Sequence, residues 1–459
     1  MIDLVIRNCR VVTHDMTIHG GVAIKEGKIV AIGFDEDLPE SKEVIDGKGK
    51  YLIPGGVDPH VHIRYPGGAQ RETFETGTIA AAAGGITTII EHPISNPPQY
   101  SIEILNKRID AVEEQAVIDV AFLGAAGGKH LEQISKIGKA GILGYKTFLH
   151  DAPEGRESEF EGLTSKDNFE LNEVLKEISK TSLLASAHAE DNDLVSGGIL
   201  KLREEGKTYP KAHCESRPPI VEVLAVERLI RLAKENGTRL YLVHMSTPEA
   251  VEIANKARQD GQEIYIETCP HFLYLTEDAL DEFGTYAKCN PALRDKDRVT
   301  KMWEYIQDGT IDTIGSDHAP YTVEEKERNK EDIFVAPAGF PGIETMMPLM
   351  LTAVKENKIS INRAVELIST NSSKIFGIYP KKGTICIGSD ADLVLVDLDE
   401  SYTIHAGDML TKARDVAKVY EGKKVYGRIE KTILRGKVIC DNGKVLVEPG
   451  YGELVVPIK

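Results

Sequence analysis

A (β/α)8 barrel carrying a small β-sandwich domain built from both termini is the fold this sequence predicts. Three observations predict it. The middle alternates β-branched runs with segments of helical period, both ends are rich in short strands, and 459 residues exceed what one small domain needs.

The N-terminal part, residues 1–53, alternates like strands. Leu4-Val5-Ile6, Val11-Val12, Gly21–Ile24 and Lys28–Ile32 are separated by turn residues at Asn8, Gly20-Gly21, Glu26-Gly27 and Gly33. Residues 378–459 read the same way. Ala391–Val396 and Lys431–Leu434 are expected strands, and Lys437–Cys440 turns through Asp441-Asn442-Gly443 into Lys444–Leu446 as a hairpin. Short isolated strands cannot bury a face alone, so the two ends are expected to share one sandwich.

Residues 54–377 form the expected barrel. Its apolar runs are Gly55–His62, Ile86–His92, Ile118–Ala126, Ile142–Leu149, Leu183–Glu190, Arg239–Ser246, Glu263–His271 and Asp312–His318. Helical patterns such as Ile220–Glu235 and Pro248–Asp260 lie between them. About eight strand–helix units suit a closed barrel of the TIM type. A doubly wound open sheet is the alternative, but the chain has no GxGxxG turn.

Composition narrows the partners. At 41% hydrophobic and 28% charged the chain is an ordinary globular one, and its net charge of -17 comes with no Lys/Arg-rich tract. That argues against nucleic acid and anionic membrane as partners, though not against a small anionic substrate. Met1-Ile2-Asp3-Leu4 lacks the start of an export signal, and the most apolar stretch, Thr78–Ile90, is too short to span a bilayer. Cys9, Cys214, Cys269, Cys289, Cys386 and Cys440 lie far apart without a CxxC pair. Reduced, packed thiols in a cytoplasm are expected, not a zinc–cysteine site.

In a barrel all strand ends open onto one face, and chemistry gathers there. Five runs carry metal-capable residues toward their ends: His60 and His62, Lys146, His188, His244 and Asp317. His60-Val61-His62 puts two imidazoles on one side of an extended strand. Alone, that HxH reads equally as a chance surface pair, and a lone His after an apolar strand is usually a satisfied core residue. Four such histidines on one expected rim change the reading. Asp317, ending the last run, needs a metal or a hydrogen-bonded partner if buried. Lys146 has two readings on residue chemistry alone. Its head reaches solvent, or burial beside cations lowers its pKa and the neutral amine captures carbon dioxide as a carbamate.

Several motifs carry a resemblance across essentially the whole chain. They are Gly55-Gly56-Val57-Asp58-Pro59-His60-Val61-His62, Ala82-Ala83-Gly84-Gly85-Ile86-Thr87-Thr88, Cys269-Pro270-His271 and Asn290-Pro291-Ala292-Leu293-Arg294. Ser316-Asp317-His318-Ala319-Pro320, Gly342-Ile343-Glu344-Thr345 and Gly388-Ser389-Asp390-Ala391-Asp392-Leu393 complete them. Here the sequence resembles the amidohydrolase superfamily, in particular its cyclic amidases: dihydroorotase, allantoinase, hydantoinase and dihydropyrimidinase. The resemblance implies carboxylation of Lys146 and two divalent ions. His60, His62 and Asp317 would hold one, His188 and His244 the other, bridged by the Lys146 carbamate and a hydroxide. Zinc suits such a site, with manganese or cobalt as substitutes. The bridging hydroxide would attack a cyclic amide, with Asp317 passing its proton to the leaving ring nitrogen. Relatives commonly form homodimers or homotetramers.

The ring is less determined. Arg64 matches the dihydroorotase position that grips a substrate carboxylate, and guanidinium suits that task. The asparagine and histidine that accompany it in dihydroorotases are Ile94 and Tyr321 here. Hydantoinases and dihydropyrimidinases place an oxyanion tyrosine where this chain has Asp151. Tyr286–Arg294, Met302-Trp303-Glu304, Ile311-Asp312 and Tyr426–Gly436 are similar to allantoinases, while His62–Gly67 departs from them. The expectation is an allantoinase- or hydantoinase-like ureide hydrolase, with dihydroorotase or dihydropyrimidinase as alternatives. By the same resemblance Asn290 would contact substrate, and Ala338-Gly339 would close the ring pocket. A metal-free scaffold protein is disfavoured because every ligand position is filled; a hydrolase of linear amides is the remaining alternative.

Overall fold

Eight strands in the middle of the chain are parallel and stand in sequence order in one sheet. They are Gly56–Val61, Ile86–Glu91, Asp119–Ala125, Gly144–Phe148, Leu184–His188, Leu240–Leu242, Ile264–Thr268 and Thr313–Ile314, in a computed structural model that describes residues 1–458. Every residue of these strands is buried except Tyr265, which is why they read as near-continuous apolar runs. The sheet closes on itself. Val61 pairs in parallel with His318, and the His62 N–H donates to the His318 carbonyl at 2.9 Å. Asp58 reinforces the seam, accepting from the backbone N–H of His60 at 3.1 Å and of Ser316 at 3.0 Å.

Helices follow from caps and spacing. Ser101, Asp167 and Asp295 cap Ile102–Gln115, Asn168–Ser179 and Lys296–Gln307, each accepting from a backbone N–H in the first turn. Ile220–Asn236 buries Val221, Ala225, Val226, Leu229, Ile230 and Ala233 at three- and four-residue intervals. The strands end earlier than the apolar runs, most of all the sixth and eighth. Beyond Leu242 and Ile314 the backbone turns into the left-handed region at His244 (φ 40°) and Asp317 (φ 47°), which ends regular pairing.

The termini share one sheet. Eight of its nine strands run in a continuous hydrogen-bonded path, with Ser41–Asp46 branching off it beside Ile2–Val12, and Leu393–Thr403 pairs antiparallel with Tyr51–Pro54 to join the C-terminal strands to the N-terminal ones. Leu4, Ile24 and Leu52 from one end pack with Leu393, Leu395 and Ile433 from the other in a common apolar cluster. The hairpin Lys437–Asp441 to Lys444–Val445 forms as its turn residues predict. Gly20-Gly21 does not turn the chain but lies inside the strand Thr17–Lys25. A Cβ on Gly20 or Gly21 would fall 2.0 Å from the carbonyl oxygen of Gly33 or Ile6, so the glycines admit neighbouring strands.

The seam between barrel and terminal sheet is charged and dry. Lys382, buried, sits among Asp119 at 2.5 Å, Asp392 at 2.7 Å and Asp390 at 2.9 Å. Burial works against its charge, but the three carboxylates hold Lys382 well above the usual lysine range. Asp119 begins the third barrel strand, so this cluster lies at the end opposite to the strand C-termini. Lys382→Met leaves the acidic groups uncompensated and is expected to lower stability by about 3–5 kcal/mol, read by denaturant unfolding. Loss of less than about 1 kcal/mol would contradict a structural role for the cluster.

Candidate active site

A cavity of about 810 Å³ opens at the C-terminal ends of the barrel strands, and all ten residues singled out from the sequence line it. His60 belongs to the first strand, Lys146 to the fourth and His188 to the fifth. His62, His244 and Asp317 follow the first, sixth and eighth. Arg64, Asn290, Ala338 and Gly339 form part of its wall. Arg64, His244 and Asp317 all have positive φ, a conformation that costs non-glycine residues about 1–3 kcal/mol and clusters at functional sites.

The polar atoms converge in two neighbouring groups. Asp317 Oδ1 lies 3.3 Å from His60 Nε2 and 3.2 Å from His62 Nε2. His188 Nδ1 and His244 Nε2 lie 3.0 Å apart. The His60 and His244 rings, with centroids 5.1 Å apart, link the groups. Carboxylates behind the rings aim them. Glu267 takes His60 Nδ1 at 2.7 Å, and Glu190 takes His188 Nε2 at 2.9 Å, so the inward nitrogen of each keeps its lone pair. Burial, reinforced by neighbouring cations, holds His60, His62 and His244 well below the usual histidine range. Burial also pulls Lys146 down to about 8, and its Nζ has no hydrogen-bond partner. Neutral imidazoles, a carboxylate oxygen and a deprotonatable amine, crowded with buried, unpartnered atoms, are a donor set that fits divalent cations.

Sequence reasoning did not single out His92, Glu190 or Glu267 as site residues. His92 ends the second apolar run, and its ligand atom lies within 4.8 Å of those of His60 and His62. Its ring, however, lies flat on His60 at 3.8 Å and 13°. Its Nε2 is engaged with the Pro59 carbonyl at 3.0 Å, while its Nδ1 has no partner. His92 and Asp317 thus both place donor atoms beside the His60–His62 pair. Glu267 was visible as a carboxylate in the otherwise apolar run Ile264-Tyr265-Ile266, the signal that marked Asp317.

Toward the mouth the cavity becomes cationic. Arg64 lies over the Tyr321 ring at 4.3 Å, Arg71 at 5.2 Å and Arg156 at 5.6 Å, and Arg156 donates to the Tyr321 hydroxyl at 2.9 Å. Burial opposes ionisation of Tyr321, but Arg156, Arg64 and Arg71 together lower it below the usual tyrosine value. Arg71 and Arg156 both pair with Glu159, whereas Nε and Nη1 of buried Arg64 have no partner. Gly339, at φ 115°, admits Ala319, whose Cβ would lie 2.5 Å from a Cβ at that position.

Residues 51–439 match the amidohydrolase family. The chain belongs to that family. It is 34% identical to an L-hydantoinase of Paenarthrobacter aurescens over 99% of this chain and 98% of that protein. It is 36% identical, with the same coverage, to an allantoinase of Salmonella choleraesuis. Its fold superposes with a TM-score of 0.95 on an L-hydantoinase (dihydropyrimidinase) from Arthrobacter aurescens, at 34% identity over 99% of this chain and 100% of the other.

The aiming carboxylates of this amidohydrolase have a measurable consequence. Glu190→Gln is expected to weaken divalent-cation binding about 10–100-fold, because the neutral amide no longer fixes which His188 nitrogen carries the proton. A chelator-competition titration reads this, and an unchanged affinity would show that packing alone orients His188.

Proposed function

We propose that this amidohydrolase hydrolyses a cyclic amide or ureide ring of the hydantoin–allantoin type, opening it to the N-carbamoyl or related acid. The observation that carries the reading is the convergence of His60, His62 and Asp317 beside His188, His244 and Lys146 in one cavity. The two groups would hold two divalent ions, zinc by preference and manganese or cobalt as substitutes, with Lys146 carboxylated by carbon dioxide between them. Such ions supply a water of lowered pKa and polarise the amide carbonyl.

The chain's own residues do the rest. Asp317 uses Oδ1 toward His60 and His62, leaving its second oxygen to take a proton and return it to the ring nitrogen as that bond breaks. Asn290, with its Oδ1 unpartnered, and the Ala338-Gly339 wall would seat the ring. The barrel would occupy residues 54–377 and the terminal domain 1–53 with 378–459. A homodimer or homotetramer and a cytoplasmic location are part of the same reading; the six unpaired cysteines suit a reducing compartment. No described helix is long and apolar enough to cross a membrane.

One observation favours a second reading, a ring bearing a carboxylate as in dihydroorotate. Nε and Nη1 of the Arg64 guanidinium, buried at the cavity wall, have no partner, and a carboxylate on the ring would satisfy both.

A panel of allantoin, hydantoin, 5-substituted hydantoins, dihydrouracil and dihydroorotate, alongside N-acyl amino acids, tests both readings on zinc-loaded protein. Turnover of a hydantoin or allantoin is expected, with about two ions per chain and loss of metal and activity in Lys146→Ala. Opening of dihydroorotate alone would overturn the first reading, and turnover of linear amides alone would overturn both. If dihydroorotate is opened, Arg64→Gln should reduce kcat/KM on it at least about 10-fold while sparing uncharged rings.

A further inference from the structure

The segment between the helices Val323–Glu327 and Met346–Lys355 contains no helix or strand, yet it supplies Phe334, Ala336, Ala338 and Gly339 to the cavity. A long irregular segment needs fastening if it is to shape a binding site. Its fastening is unusual, because two lysines point inward to it from neighbouring elements. Lys288 Nζ donates to the carbonyls of Ile333 at 2.8 Å, Phe334 at 3.3 Å and Ala336. Lys326 Nζ donates to the carbonyls of Pro337 at 3.0 Å and Thr285 at 3.1 Å. The main chain adds ties from the Ile333 N–H to the Thr208 carbonyl at 3.0 Å, from the Gly339 N–H to the Lys288 carbonyl at 2.8 Å and from the Ala319 N–H to the Phe340 carbonyl at 3.1 Å.

Both side chains are buried, at 6% and 0% exposure, and their hydrogen-bond partners are all backbone carbonyls. A lysine that merely covers apolar surface keeps its head in water, and these do not. Burying an ammonium without a carboxylate is costly, and burial drags Lys288 well below the usual lysine range and Lys326 down to about 7. Lys288 Nζ faces three carbonyls, at least as many acceptors as a lysine head has N–H donors in either protonation state, so although it borders the cavity it has no donor left for a ligand.

We propose that Lys288 and Lys326 are positioning residues for ring recognition, fixing the wall 333–339 through its carbonyls and so holding Ala338 and Gly339 at the ring-binding side of the cavity. This rests on the reading of the cavity as a cyclic-amide site, but the clamp itself can be tested without a substrate.

Lys288→Met and Lys326→Met keep the length of the side chain and remove its donors. In each, backbone hydrogen exchange across 333–340 is expected to accelerate at least about 10-fold while the strands bearing the metal-ligand candidates stay protected. Zinc content should match the parent protein. On whichever cyclic amide the parent opens, KM should rise about 10-fold and kcat change less than about 3-fold, since wall contacts act on binding. Unchanged exchange in both variants overturns the proposal, as does a fall in kcat at constant KM. Should either variant fail to fold, the parent protein alone decides. The Ala336 amide, which no main-chain carbonyl holds, should exchange at least about 10-fold slower than a random coil because the wall is fixed through its carbonyls, and exchange at random-coil rates overturns the clamp. If no cyclic amide is opened, the proposed function falls while the exchange results still judge the clamp.

Discussion

Glu267 lies one residue before the end of the seventh barrel strand, wholly buried, and three donors from neighbouring segments converge on it. His60 Nδ1 reaches it from the first strand at 2.7 Å, while the His244 N–H and the Tyr241 hydroxyl reach it from the sixth at 2.8 Å each. Burial pushes its carboxyl up to about 8 against the pull of the His244 N–H and the Tyr241 hydroxyl. A group in so dry a place persists because its acceptor sites are filled. Once His60 has given Nδ1 to it, only Nε2 is left to face Asp317. Once the His244 backbone has given its N–H, that residue is held in the left-handed conformation that turns its ring toward His188. The two halves of the donor cluster are thus coupled through a carboxylate that lines neither of them.

Beyond that cluster the cavity changes character over a short distance. Its floor is built from lone pairs, an environment that repels protons and welcomes cations, whereas its mouth gathers Arg64, Arg71 and Arg156 around Tyr321. In a chain of net charge -17 such a concentration is local by construction. Glu159 neutralises part of it by pairing with Arg71 and Arg156, while Arg64 has no ion pair and keeps two nitrogens unpartnered. The field along the cavity therefore favours cations at the lone-pair floor and any anionic substituent of a ligand toward Arg64.

What the sequence made legible follows from how each feature is encoded. The barrel strands were readable because burial on both sides forces continuous β-branched runs, and the site residues because they interrupt those runs with His, Lys or Asp. The terminal sheet was readable in its strands but not in its pairing. Contacts such as Leu393 with Pro54 join residues that only the folded chain brings together. Gly20-Gly21 misled because a glycine that admits a neighbouring backbone and a glycine that turns the chain look alike in one dimension. What Glu190 and Glu267 do was hidden for a related reason, although Glu267 stood out as a carboxylate in an apolar run. Their role lies in which imidazole nitrogen they engage, and that depends on distances across the barrel rather than on spacing along it.

The two ends of the barrel also divide the energetic burden. At the C-terminal ends, Arg64, His244 and Asp317 hold backbone conformations that oppose folding by about 1–3 kcal/mol each, and Arg64 is buried with two of its nitrogens unpartnered. None of this helps the chain to fold. At the opposite end, Lys382 draws Asp119, Asp390 and Asp392 into one dry cluster that ties the third barrel strand to the start of Leu393–Thr403. Breaking such a cluster costs more than any one strained residue. The strands are anchored where no chemistry occurs, so strained and unsatisfied groups can persist at their other ends, poised for cations and substrate instead of being relaxed away.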